Sequence, residues 1–187
     1  MEPSVKTALL VMDMQSSVLS NHANAPTLVA NVSKAIAHAR QHSIPVIFIA
    51  VSFRAGLPEV SANNKGFSTF LQKEQWTPEF ATEHVKIHPG LAVQPADIMV
   101  VKRRVSAFTG SDLEVILRSN NIQHLVLTGY ATSGVVLSTL REAADKDYQL
   151  TVLEDCCNDW DEEVHRVLTT KVFVWQADVL PLAQWLQ

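Results

Sequence analysis

A carboxylate, an ammonium and a tight turn are the features of this chain best suited to chemistry. Asp13 stands inside the apolar run ALLVMDM, and Lys102 closes a second run, IMVVK. A carboxylate among such neighbours loses hydration, so it needs a cationic partner or its pKa rises. Either state suits proton transfer, although a strand-end Asp also serves as a cap for the turn that follows. Lys102 is drawn to a buried carboxylate for the same reason, or else lays its stem over apolar surface. The third feature is GYATSGVVLST, Gly129 to Thr139, which follows an apolar run and opens a helix. A strand that ends in a tight turn at a helix N-terminus is a common place for a nucleophile or an anion. Here the turn offers Tyr130, Ala131, Thr132, Ser133 and Gly134, and then Val135, which has no nucleophilic atom.

Other polar residues follow predicted strands: Gln15, Arg54, Arg103, Arg104 and Asp155. Arg54 suits bidentate binding of a carboxylate. His84 and His88 have the four-residue spacing of metal ligands on one helix face, but Pro89 and the alternation Val85-Lys86-Ile87 favour extended chain. No metal and no cofactor are expected. His165 falls on an amphipathic helix and reads as a surface or partner-helix residue. Cys156 and Cys157 follow a predicted strand end with no base to activate them, which favours buried structural thiols. No Gly-rich phosphate loop, GxSxG elbow or CxxC motif occurs.

The elements that must position these residues alternate. Apolar runs of strand length at 8–14, 45–53, 97–103, 124–129 and 149–155 are separated by helical patterns. The helices are expected from Pro26 to Gln41, over 111–120, from Thr132 to Asp147 and over 161–172. Ser111 and Glu114 have the spacing of a capping box. ADVLPLAQWL should add a short strand and a terminal helix. Residues 54–96 form a long irregular stretch, which in a compact domain is functional or holds short helices. The expectation is a Rossmann-like three-layer α/β/α fold with a parallel sheet of five or six strands, one domain spanning 1–187. In such sheets ligands bind beyond the carboxyl ends of the strands, where strand order reverses.

Composition narrows the function classes. The chain has 187 residues, 47% hydrophobic and 18% charged, with net charge −4. That balance lacks the basic stripe expected for nucleic acid or an anionic membrane surface. No run approaches the ~20 apolar residues of a membrane span. Asp13 interrupts the N-terminal apolar run, so no signal peptide is expected. With only two cysteines, adjacent in sequence, a reducing, cytoplasmic location is expected.

ALLVMDMQ, VVKRRVSAF and GYATSGVVLSTLREAAD resemble the isochorismatase-like hydrolases of the cysteine-hydrolase superfamily, which also holds nicotinamidases and N-carbamoylsarcosine amidohydrolases. SFRAGLPEV, IHPGLAVQPADIMVVK and DEEVHRVLTTKVF look like further family segments, so the resemblance spans nearly the whole chain. It implies a triad of Asp13, Lys102 and a cysteine whose position here is Val135. It also implies a cis peptide at Tyr130–Ala131 and a substrate pocket involving Gln15, Arg54, Phe108 and residues Tyr130, Ala131, Thr132, Ser133 and Gly134. Members with a metal carry Asp-x-His after the second strand; VSFRAG stands here, so none is implied. Valine excludes a thioester route at that position. Isochorismatases resemble this chain in doing without the cysteine, often with glycine there, and cleave a vinyl ether. Asp13 as general acid with Lys102 setting its pKa meets that requirement, on a small carboxylate-bearing metabolite. The alternative is a non-catalytic member that binds a small molecule or a protein. A homo-oligomer is expected from the family, with Trp160, Trp175 and Trp185 suited either to its interface or to the core.

Overall fold

The computed structural model describes residues 5–72 and 76–187. The apolar runs form strands β1 (Thr7–Met12), β2 (Val46–Val51), β3 (Ile98–Lys102), β4 (His124–Tyr130), β5 (Gln149–Asn158) and β6 (Asp178–Leu180). They build a six-stranded sheet, parallel throughout, in the order β3-β2-β1-β4-β5-β6. The helices are α1 (Ser16–Leu19), α2 (Ala25–Gln41), α3 (Pro78–His84), α4 (Leu113–Ser119), α5 (Leu137–Asp145), α6 (Glu162–Val167) and α7 (Leu182–Trp185). The expected three-layer α/β fold is present.

Strand alternation divides the core between the two faces. Leu9 and Val11 pack with Val32 and Ile36 of α2 and Leu182 of α7. Ala8, Leu10 and Met12 pack with Leu113 and Leu117 of α4 and Leu140 and Ala143 of α5. Helices on both faces explain why β1 is a continuous apolar run.

Residues 54–96 hold short helices, as the length of the stretch demands. Single 3-10 turns at Ser68–Gln72 and Pro89–Leu91 flank α3. Thr77 caps α3 by accepting from the Phe80 amide at 3.2 Å. A third apolar cluster forms here from Phe53, Leu57 and Trp76, with Phe67 and Phe70 against it. The Trp76 indole donates to the Phe53 carbonyl at 2.8 Å, so this large ring is buried without an orphan N–H.

Several boundaries differ from expectation. The capping box does not form: α4 begins at Leu113, and Ser111 Oγ donates to the carbonyls of Ala107 and Phe108. Glu114 instead meets Lys146 at 2.7 Å, a partner on the neighbouring element. The helix expected from Thr132 begins as a π-type turn, Thr132–Val136, before α5. The helix expected over 161–172 ends as α6 at Val167 and continues as a π-type turn, Leu168–Val172. β5 runs three residues further than expected because a bulge in its pairing with β4 sets Cys157 opposite Gly129 and Asn158 opposite Tyr130. Both cysteines therefore lie inside a strand.

Candidate active site

Strand order reverses at β1. The chain moves outward through β2 and β3, then returns to place β4 on the other side of β1. The carboxyl ends of β1 and β4 are thus the expected crevice of an open parallel sheet. Asp13 directly follows β1 with φ 55°, and its amide donates to the Ile49 carbonyl at 2.8 Å. Gly129, near the end of β4, has φ 137°, and a Cβ there would lie 2.1 Å from the Met12 carbonyl oxygen. Only glycine permits β4 to approach the β1 end this closely.

Lys102 ends β3, two strands from β1, and its long stem reaches back to Asp13. Nζ lies 2.9 Å from Asp13 Oδ2 and donates to the carbonyls of Arg104 and Val105, each at 2.9 Å. Its three donors are matched by three acceptors, which allows an ammonium only 2% exposed to remain. Asp13 Oδ1, by contrast, is buried with no hydrogen-bond partner among the described residues. Burial pushes the Asp13 pKa up, and Lys102 opposes that rise without cancelling it.

The pair sits in a cavity of about 180 Å³. Val18, Val51, Phe67 and Val105 form its apolar wall, and Trp160 lies at one side. The β4 turn supplies Tyr130, Ala131, Gly134 and Val135. The Tyr130–Ala131 peptide is cis, as the resemblance implies. The Tyr130 ring rests on His22, centroids 4.4 Å apart, and meets Trp160 edge-on at 5.9 Å.

The remaining sequence-derived candidates take other places. Gln15 is fully buried as a clamp: Oε1 accepts from the Val51 amide at 2.8 Å, and Nε2 donates to the carbonyls of Val51 and His84. Arg54 lies outside the cavity lining and pairs with Glu59. Phe108 packs in the core near Tyr148, ring centroids 6.1 Å apart. Ser133 donates its amide to Asp159 Oδ2 at 2.6 Å, and Thr132, fully buried, bonds His165 Nδ1 at 2.8 Å.

His165 is therefore a half-buried support of the turn rather than a surface residue, and burial lowers its pKa. Asp159 and His165 were missed as site residues because their partners lie 26 and 33 positions away in sequence. Asp155, singled out as a strand-end carboxylate, accepts the Leu182 amide and ties down α7. His84 ends α3, whereas His88 precedes the next 3-10 turn and accepts from the Gly90 amide. Among the described residues no group of three or more His, Cys, Asp and Glu is arranged to hold a metal ion. No described helix is long and apolar enough to cross a membrane.

The chain is similar to known proteins along most of its length. The family model for the isochorismatase domain matches residues 7–184. An uncharacterized isochorismatase family protein, YwoC, of Bacillus subtilis is 29% identical, over 90% of this chain and 86% of its own length. Ureidoacrylate amidohydrolase RutB of Variovorax paradoxus is 32% identical over 82% of this chain and 69% of its own. Among solved structures, an isochorismatase family protein from Burkholderia thailandensis superposes with a TM-score of 0.82 at 29% identity, covering 95% of this chain and 92% of that one. A cysteine hydrolase from Pseudomonas syringae pv. phaseolicola shares the fold with a TM-score of 0.86 at 20% identity, covering 97% and 91%. With a matching domain model over nearly its full length and an Asp–Lys pair at the sheet's switch point, the chain belongs to the isochorismatase family of hydrolases.

Proposed function

We propose that this protein is an acid–base hydrolase that cleaves a vinyl ether, with Asp13 as general acid and Val135 standing where cysteine members of the family carry a nucleophile. The observation that carries the reading is the unpartnered Oδ1 of a buried carboxyl group at the cavity. Burial favours the protonated form, and Lys102, anchored by two carbonyls, holds Oδ2 so that the proton resides on the free oxygen. Asp13 delivers that proton to the terminal carbon of the enol ether. The resulting oxocarbenium ion takes up water, and the hemiketal breaks its C–O bond to give an alcohol and a ketone. The proton released by the water returns to Asp13.

Val135 contributes shape and no bond-making atom. The cavity is small and its wall apolar, so it fits the reacting unsaturated group better than a charge. A substrate carboxylate stays at the mouth, because the Lys102 donors are occupied and Arg54 is turned to Glu59. The rival reading is a member that binds a ligand or protein without turnover; the apolar bulk of Val135 in the cavity favours it. We also propose self-association, supported by Trp175, which is 80% exposed.

Purified protein offered isochorismate and, separately, ureidoacrylate separates these readings. Release of a keto acid from the vinyl ether, with the amide untouched, is the expected result. Hydrolysis of the amide through a covalent acyl-protein would contradict the proposal, and saturable binding of the vinyl ether without turnover would replace it with the binding reading.

A further inference from the structure

Outside the Asp13 cavity, three arginines converge on Glu59, two on its carboxylate and one on its backbone. Glu59, in the loop after β2, accepts from Arg54 Nη1, and its Oε1 lies 3.4 Å from Arg103 Nε. Its backbone carbonyl accepts from Arg104 Nη2 at 2.9 Å. Arg103 is aimed by a second bond, Nη1 to the Ser52 carbonyl at 2.7 Å. Gly110 keeps the space for its stem: with φ 74° there, a Cβ would lie 2.7 Å from Arg103 Cβ. Glu59, Arg103, Arg104 and Gly110 border an open hollow of about 630 Å³, far larger than the Asp13 cavity, and Arg54 is tied to it through Glu59.

The charge balance is unusual for a chain of net charge −4. Among the described residues two guanidinium groups share the Glu59 carboxylate, and the third, Arg104, donates to backbone carbonyls only. Glu142, bonded by Thr109 Oγ1 of the lining, is itself near Lys146 at 3.9 Å. Each guanidinium has five N–H donors in a planar fork that matches carboxylate and phosphate oxygens, and the bonds above occupy only part of that capacity. Glu59 already shows that Arg54 and Arg103 can share one oxyanion.

We infer that this hollow binds a small polyanion, a metabolite bearing a phosphate or clustered carboxylates, at a site distinct from the Asp13 cavity. The inference does not depend on the acid–base reading of Asp13. Glu59 is then an internal occupant whose charge limits affinity, while the arginines provide it.

Calorimetric titration of the full chain at low ionic strength tests this, with pyrophosphate as one probe and tricarballylate as the other. At least one should bind saturably, and which one binds more tightly identifies phosphate or carboxylate as the preferred chemistry. Arg54→Gln, at a position 69% exposed and therefore safe for folding, should weaken binding at least tenfold, as should Arg103→Gln. Glu59→Gln should tighten it several-fold by removing the competing charge. Arg118→Gln, on α4 and 58% exposed, should leave it unchanged. Absence of saturation by both probes would overturn the inference. So would equal losses in the Arg54 and Arg118 variants, which would mark the effect as general surface charge.

Discussion

β4 and β5 are neighbours in the sheet, and their carboxyl ends hold the two kinds of residue from which a hydrolase could be built. β4 ends in a glycine that closes on β1, a cis peptide and a turn whose Val135 lines the Asp13 cavity. β5 carries the chain's two thiols, Cys156 and Cys157, on opposite faces of the sheet and in separate core clusters. Burial pushes the Cys156 thiol far up and raises that of Cys157 to about 12. Residue type alone would place the chemistry on β5. Position favours β1 and β4, where strand order reverses, although Glu154, Asp155, Cys157 and Asn158 of β5 line a hollow of their own.

That contrast can be broken most sharply by moving a thiol. At pH 7.5 the wild-type protein, while folded, should take up no iodoacetamide at its two cysteines. Val135→Cys should take up one equivalent, at least about a thousandfold faster than Cys157, since an ordinary thiol near pKa ~8.5 is already far more ionised. An introduced thiol that reacts no faster than those of β5 would show that the turn gives no reactive environment.

The next largest effect concerns stability. Lys102→Ala leaves Asp13 without its cation and strips the Arg104 and Val105 carbonyls of their donor. Leaving these three acceptors without their donor costs about 3 kcal/mol, or roughly 9 °C in melting temperature for a chain of this size. Cys157→Ala, which removes a weak donor and a small apolar volume, should cost about 1 kcal/mol. Comparable losses from the two variants, read by thermal denaturation, would erase the energetic distinction between the two strand ends.

A smaller effect follows from the raised Asp13 pKa. The folded state holds this proton more tightly than the unfolded chain, so its stabilising contribution is complete below the ordinary carboxylate range and is lost as pH rises through the folded value. Asp13→Asn lacks that dependence while keeping an oxygen acceptor for Lys102. Melting curves from pH 4 to pH 8 should show wild type falling relative to Asp13→Asn. Parallel curves would mean that Asp13 is not held protonated by burial.

The Asp13–Lys102 pair was legible because both members stand in apolar runs, where a charge must be paired or neutralised. The parallel sheet was legible for the same reason: runs such as ALLVM and HLVL leave no polar face for water. Partner choice was not. Gln15 and Arg54 look like ligand-binding residues until the fold brings the Val51 and His84 backbone to one and Glu59 to the other. Ser111 matched a capping box, yet its hydroxyl bonds the carbonyls of the preceding turn. Glu154 and Asp155 read as the end of β5, whereas the bulge opposite Gly129 carries the strand past them. Each of these depends on contacts between segments distant in sequence, which periodicity and composition do not encode.

The central claim is that the unpartnered Asp13 oxygen delivers the reacting proton. Vinyl-ether cleavage by wild type and by Asp13→Asn, measured on folded protein at the same pH, tests it most directly. The account predicts a loss of about a thousandfold in turnover, the usual scale of a positioned general acid, with substrate still bound. Turnover retained within a few-fold in Asp13→Asn would contradict it.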